Sequence, residues 1–119
     1  MSTDVQASPF QNKPLEGIYA TANNAQQEME AKKAEYEAAM GQFNIFEDRK
    51  ADLYSRLQFA QSSNNSSLFN NVRAQYNSAC NSYSDANINA EVLRDSLMGS
   101  IFYSGKMNNC AALANAIAG

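Results

Sequence analysis

The feature that most constrains this chain is a stripe of apolar residues that runs through a long segment without proline. No proline occurs between Leu15 and about Gln61. Twelve positions in this segment are separated by alternating steps of three and four, and ten of them are apolar: Ala22, Ala25, Met29, Lys32, Tyr36, Ala39, Phe43, Phe46, Lys50, Leu53, Leu57 and Ala60. Such steps place every position on one face of an α-helix. The spacing predicts a first long helix over residues 15–61.

Gly41 is the expected weak point of this helix. A helix of about 47 residues would be roughly 70 Å long at 1.5 Å per residue, which is too long for a compact monomer of this size. Glycine costs about 1 kcal/mol relative to alanine in a helix interior, and Asn44 lies close by. We expect the first helix to break or bend near residues 41–44.

A run of serine and asparagine over residues 62–67 separates the first stripe from a second one. These side chains bond to nearby backbone and favour turns and caps, so we expect a tight turn with Ser66 or Ser67 as the next helix N-cap. The second stripe has no polar member: Phe69, Val72, Tyr76, Ala79, Tyr83, Ala86, Ala90, Leu93 and Leu97. It predicts a second helix over residues 68–98.

The ends of the chain show weaker patterns. Residues 1–14 are polar, contain two prolines and have no periodicity, which is typical of a flexible tail with a helix start near Asn12 to Pro14. Gly99 and Gly105 interrupt residues 99–119, a C-terminal extension in which Met107 to Ala118 form another short helix or a continuation of the second. The predicted fold is all-α: an antiparallel, coiled-coil-like helical hairpin with a flexible N-terminal tail.

The composition argues against an enzyme. The chain has no histidine, so it lacks the commonest general base and the commonest metal ligand. Its carboxylates between Glu28 and Asp52 are interleaved with lysine and arginine, as on a solvated helix face. We expect no catalytic residues, no metal and no cofactor. Cys80 and Cys110 form no CxxC motif and are interpreted as small buried apolar residues, with an intramolecular or intermolecular disulfide as the alternatives.

Charge and hydropathy narrow the partners. The net charge is −3 and no long basic run occurs, so nucleic-acid binding is not expected. No apolar run approaches the roughly 20 residues that span a bilayer. The polar N-terminus lacks the apolar core of a Sec signal peptide. We therefore expect either a cytoplasmic protein or one that is secreted without a cleaved signal.

The distribution of charge predicts self-assembly. Twelve of the 21 charged residues lie between Glu28 and Arg56, and only six lie in the 63 residues from Leu57 onward. A helix packed on several sides keeps few charges, because desolvating them costs more than pairing returns. A lone hairpin also has no second layer to cover its remaining apolar surface. We expect the second helix to lie inside an assembly and the charged part of the first helix to lie outside; an ordinary small bundle is the alternative.

Two groups of candidate residues follow. The first packs the hairpin together and comprises Met29, Tyr36, Phe43, Phe46, Leu53, Leu57, Phe69, Val72, Tyr76, Tyr83, Leu93 and Leu97. The second lies off the stripes or in the extension and is expected to contact other subunits, because exposed aromatic and aliphatic residues often anchor interfaces. Its members are Tyr54, Phe59, Ile101, Phe102, Tyr103, Leu113 and Ile117.

The stretch from Phe59 to Phe102 resembles the needle subunits of bacterial type III secretion systems. Phe59-Ala60 is similar to the family's Leu-Ala before its turn, and Leu68-Phe69 to its Leu-Leu after it. Val92-Leu93-Arg94-Asp95 resembles the family's Val-Ile-Lys-Asp, and Ile101 falls where the family has isoleucine. The resemblance covers about 44 of the 119 residues.

The chain also departs from that family. Ser63 and Ser66 replace the prolines of the family's Pro-x-x-Pro turn, about 17 residues follow Phe102, and the first helix is longer than a needle subunit needs. The resemblance implies a helical homopolymer that forms a hollow conduit for exported proteins. It also implies export without a cleaved signal and dedicated cytosolic chaperones before export.

Other helical hairpins remain alternatives. A small cytosolic adaptor or chaperone predicts a soluble dimer or heterodimer and no polymer. The two-helix substrates of type VII secretion carry a Trp-x-Gly turn, and this chain has no tryptophan. A viral coat or tail subunit around DNA would need a basic inner face, and the second half has only three basic residues, Arg73, Arg94 and Lys106.

Overall fold

The chain folds into two long helices joined by a short turn. A computed structural model describes residues 13–118, with side-chain surroundings for residues 16–117. Helix α1 spans Lys13–Ser62 and α2 spans Ser66–Ala118, and these residues contain no strand. The predicted all-α hairpin is confirmed. The predicted tail over residues 1–14 lies outside the described residues except for Lys13 and Pro14, which already belong to α1, where proline suits the first turn.

Helix α1 is continuous through Gly41 and Asn44, so the break predicted there is wrong. A Cβ atom at Gly41 would meet nothing within 4 Å, so the glycine lies on an open face of the helix. On either side of it the stripe keeps its register, with Ala39 buried and Phe43 half-buried. Packing on the opposite face thus offsets the cost of about 1 kcal/mol that glycine carries in a helix interior.

The connection between the helices is tighter than the predicted turn over residues 62–67. Asn64 has a φ of 53° and closes α1 in the left-handed conformation. Its N–H donates to the Gln61 carbonyl at 3.2 Å, and the Asn65 N–H donates to the Ala60 carbonyl at 3.1 Å. This pair of bonds is a Schellman motif, with asparagine in the position that glycine usually takes.

Asn65, the residue before α2, is the N-cap of this helix, so the expectation that Ser66 or Ser67 caps it is wrong. The Leu68 N–H donates to Asn65 Oδ1 at 3.0 Å, and the Phe69 N–H donates to the Asn65 carbonyl at 2.9 Å. One residue therefore completes the C-terminal motif of α1 and supplies the N-cap of α2.

Helix α2 extends well beyond the predicted end at Met98, and the C-terminal extension is part of the same helix rather than a separate one. Neither Gly99 nor Gly105 interrupts it. The buried side continues at the same spacing after Leu97, with two serines included: Ser100, Ser104, Met107, Ala111 and Ala114. Continued burial of this face explains why the glycines do not end the helix.

The chain divides into two compact units, each built from a segment of both helices. The turn unit is Glu35–Arg94. Its core consists of Leu53, Val72 and Ala79, against which Leu57, Leu68 and Tyr76 pack.

The terminal unit combines the described residues up to Ala34 with those from Asp95 onward. Its buried residues are small except for one leucine: Ala22, Ala25, Leu97, Ser100, Ser104 and Ala114. Small side chains allow the two helix segments to approach closely, but they bury little apolar surface. The terminal unit therefore has a thinner apolar core than the turn unit.

Replacing Gly41 with alanine should stabilise the protein. The position is helical and open to solvent, so Gly41→Ala is expected to raise the free energy of unfolding by about 1 kcal/mol. Urea denaturation followed by circular dichroism measures the change. The matched control is Ala31→Gly at another exposed position of α1, which should lower stability by a similar amount. A destabilised Gly41→Ala variant would show that the chain needs a flexible or open site there.

Candidate functional site

The residues predicted to pack the hairpin all turn inward. Leu53, Val72 and Leu97 are buried. The others are half-buried: Met29, Tyr36, Phe43, Phe46, Leu57, Phe69, Tyr76, Tyr83 and Leu93. No large side chain among the described residues is completely buried. The packing surface is therefore a seam between two helices rather than an enclosed core.

Aromatic contacts strengthen this seam in the turn unit. The ring centroids of Phe43 and Tyr83 lie 4.9 Å apart, and those of Tyr54 and Tyr76 lie 5.9 Å apart. Lys50 places its Nζ atom 4.1 Å from the centre of the Tyr83 ring, so one of the two polar members of the first stripe makes a cation–π contact. Tyr54 was predicted to contact other subunits; within the chain, its ring contacts Tyr76 of the seam.

The terminal unit holds polar contacts that the apolar pattern did not predict. Gln26 Oε1 accepts a hydrogen bond from Ser104 Oγ at 3.2 Å and another from Asn108 Nδ2 at 3.4 Å. The Tyr19 hydroxyl donates to Asn115 Oδ1 at 3.5 Å. These bonds join α1 to α2 where small residues bury little surface. The sequence does indicate this part of the contact: Ser100 and Ser104 follow Leu97 at steps of three and four, so they continue the second stripe if serine is counted as a member.

The residues predicted to contact other subunits all lie at the surface. Their exposed fractions run from 49% to 71%: Tyr54, Phe59, Ile101, Phe102, Tyr103, Leu113 and Ile117. Further exposed apolar residues were not predicted: Tyr19, Ile45, Ile88, Val92 and Met98. Five of these twelve lie between Met98 and Leu113, and Lys106 is the one charged residue in that segment. Large apolar patches on a surface mark interaction sites.

The side chains with chemical reactivity are dispersed. Cys80 is half-buried and Cys110 is exposed, and both are free thiols, so the interpretation of Cys110 as a buried residue is wrong. A side-chain hydrogen bond with Cys80, followed by desolvation, raises the pKa of Tyr76 above its ordinary value. Among the described residues no three acidic or cysteine side chains are grouped to hold a metal ion. Asp52 and Arg56, four residues apart on one helix, form an ion pair with Oδ2 and Nε 3.1 Å apart, and both are exposed.

The turn carries an open groove, lined by Ala60, Gln61, Asn64, Asn65, Ser66, Phe69 and Asn70. Its walls are amide and hydroxyl groups with a single aromatic ring, and no charged residue contributes.

Within the described residues, neither helix has a stretch long and apolar enough to cross a membrane. Comparison with protein families, with curated proteins and with solved structures found no match for this chain.

The seam in the turn unit should supply most of that unit's stability. Leu53→Ala removes a buried side chain from its core and is expected to lower the free energy of unfolding by about 2–5 kcal/mol. Ile45→Ala is the matched control, since Ile45 is 60% exposed on the same helix, and it should change stability by less than about 1 kcal/mol. Urea denaturation measures both. Equal losses in the two variants would contradict the assignment of the seam.

The polar contacts of the terminal unit should also be measurable. Gln26→Ala removes the acceptor of the buried Ser104 hydroxyl, and the expected loss is about 1–3 kcal/mol, because a buried donor then loses its partner on the other helix. Gln27→Ala, at an exposed neighbouring position, is the control and should be nearly neutral. Amide hydrogen exchange of residues 95–118 would show the change locally. Unchanged protection in Gln26→Ala would refute a structural role for this contact.

Proposed function

We propose that the chain is a structural subunit of a helical secretion needle or filament, which forms a hollow conduit for exported proteins. The proposal combines the resemblance of residues 59–102 to type III needle subunits with the surface of the hairpin. It assigns the chain no catalytic role and no cofactor. A second copy of the chain is its principal partner.

The observation that carries the proposal is the apolar surface left outside the seam. All seven residues expected to contact other subunits are about half exposed or more. Each exposed ring or aliphatic chain is costly to leave in water, at about 25 cal/mol for each Å² of apolar surface. Copies of the same hairpin can cover this surface, because one subunit offers both of the patches that a repeating contact needs.

The position of the charges supports the same arrangement. The charged residues of α1 between Glu28 and Arg56 lie on exposed positions with two exceptions, Lys32 and Lys50, which belong to the stripe and are half-buried. Beyond Leu57 the chain is poor in charge and rich in asparagine, serine and alanine. A helix with this composition can be surrounded by other helices at a small desolvation cost. We assign the second helix to the inside of the polymer and the charged part of α1 to its outside.

Export follows from the proposed role. A needle or filament subunit leaves the cell by a route that does not depend on a cleaved signal, and we place this protein at the cell surface or outside the cell. Dedicated cytosolic chaperones would cover the exposed apolar residues before export. Neither nucleic acid nor a membrane span has a part in this function.

Electron microscopy of the purified protein at rising concentration tests the proposal. Negative staining should show uniform thin tubes, and Phe59→Asp should prevent them, because a charge would be buried where a 65% exposed ring meets another subunit. The matched control is Ile45→Asp, at a 60% exposed position in the charged part of α1, which should still form tubes.

Discrete small particles at every concentration would overturn the proposal. They would favour the second candidate, a helical-hairpin adaptor or chaperone that covers the same residues with a different protein. Loss of tubes in both aspartate variants would mean that the assignment of the inside and the outside of the polymer is wrong.

A further inference from the structure

On the outward face of α2 in the terminal unit, the spacing between residues is the same in both directions along the chain. The face consists of Met98, Phe102, Lys106, Asn109, Leu113 and Ile117, and all six side chains are exposed. The steps between them are four, four, three, four and four. At about 100° per residue these positions fall within roughly 100° of arc, opposite the buried side of the helix.

A palindromic spacing makes this face complementary to itself. When two copies of the helix lie antiparallel, position i on one copy faces position 215 − i on the other. Met98 then faces Ile117, Phe102 faces Leu113, and Lys106 faces Asn109. Four pairs of large apolar side chains result, two on each side of the centre, with the polar residues at the middle. A twofold contact of this kind uses the same patch on both subunits.

The exposed area is sufficient for such a contact. Met98, Phe102, Leu113 and Ile117 are 61%, 67%, 59% and 71% exposed. With roughly 200 Å² for a fully exposed large side chain, they leave about 500 Å² of apolar surface in water. A stable interface of standard size buries about 800 Å² on each partner, and somewhat more than half of that is apolar. The four side chains supply that apolar part.

A second copy of the helix can approach closely at the centre of the face. Lys106 is the only charged residue of the face, and its Nζ atom lies 4.6 Å from the centre of the Phe102 ring. The midpoint of the face lies between Lys106 and Asn109, so the Lys106 side chain extends away from this midpoint. The two ammonium groups of a pair would therefore point apart. Gly105 and Cys110, which face each other in the same register, are small, and a Cβ at Gly105 would meet nothing within 4 Å.

We propose that two copies of the chain pair antiparallel through this face of α2, as a closed dimer in solution. This pairing goes beyond the proposed function, because a twofold contact closes on itself, whereas the contacts of a helical polymer repeat head to tail. The dimer is a form of the subunit outside the polymer, in which its most apolar exposed face is covered.

Cysteine cross-linking of the full chain tests the register. Two variants, Met98→Cys and Ile117→Cys, are prepared in a background with Cys80→Ser and Cys110→Ser, and one carries a size tag. Oxidation of the mixture should give a cross-linked heterodimer. Met98→Cys alone should give almost none, because its two copies would lie about 28 Å apart along the helix axis at 1.5 Å per residue. Circular dichroism checks that both variants retain the helical fold.

The outcomes separate the alternatives. Cross-linking of Met98→Cys with itself would indicate a parallel pair and would overturn the proposal, as would a mixture that gives no cross-link. A collision control mixes Met98→Cys with Asn24→Cys, an exposed position on α1, and an equal yield there would also overturn it. Tubes without the Met98–Ile117 cross-link would refute this dimer and keep the proposed function, and the cross-link without tubes would do the reverse.

A second measurement does not depend on cysteines. The double variant Phe102→Ser, Leu113→Ser removes the inner apolar pairs and should raise the dissociation constant of the dimer at least about tenfold by sedimentation equilibrium. The same change at Ile45→Ser should leave it unaltered. An unaltered constant in the double variant, or a wild-type protein that stays monomeric at high concentration, would contradict the proposal.

Discussion

The structure depends on the packing of one apolar stripe on each helix against the stripe of the other. In the turn unit this seam contains leucine, valine and aromatic side chains, and in the terminal unit its buried residues are alanine, serine and one leucine. No large side chain in the described part of the chain is fully buried, because each helix meets its partner on one side only. Two helices make a single layer of contacts, and such a layer stabilises a fold less than a core enclosed by several elements.

The difference between the two units follows from the residues that form the seam. Large side chains in the turn unit bury apolar area and make ring contacts, such as that of Phe43 with Tyr83. The terminal unit compensates for its small residues with hydrogen bonds to Gln26, which need defined geometry and therefore fix which residues of the two segments face each other. The terminal unit also carries the longest apolar face outside the seam. A partner that covers this face would therefore stabilise the terminal unit most.

The helices and their inward faces could be predicted from the sequence, because the three-and-four spacing depends only on helix geometry. Every position of the two predicted stripes is half-buried or buried. The details that depend on competition between local and tertiary effects could not be predicted in the same way. Glycine at 41, 99 and 105 favours a break locally, but packing on the opposite face keeps the helices continuous.

The turn is a second feature that could not be predicted from the sequence. Any of several serines and asparagines in residues 62–67 can cap a helix, and the choice of Asn65 depends on Asn64 adopting a positive φ. For the surface, the sequence indicated seven apolar residues off the stripes, and the structure places them in solvent. Which molecule covers them is a property of the assembly and not of the single chain, so the needle or filament function and the antiparallel dimer remain proposals.

Sedimentation velocity of the wild-type protein over a wide range of concentration tests the central claim most directly. The claim is that a hairpin with a single seam leaves apolar surface that other copies of the chain cover. The account predicts a sedimentation coefficient that rises with concentration as larger species form. A single monomeric species at all concentrations would contradict it, because the exposed apolar residues would then be stable in water without a second copy.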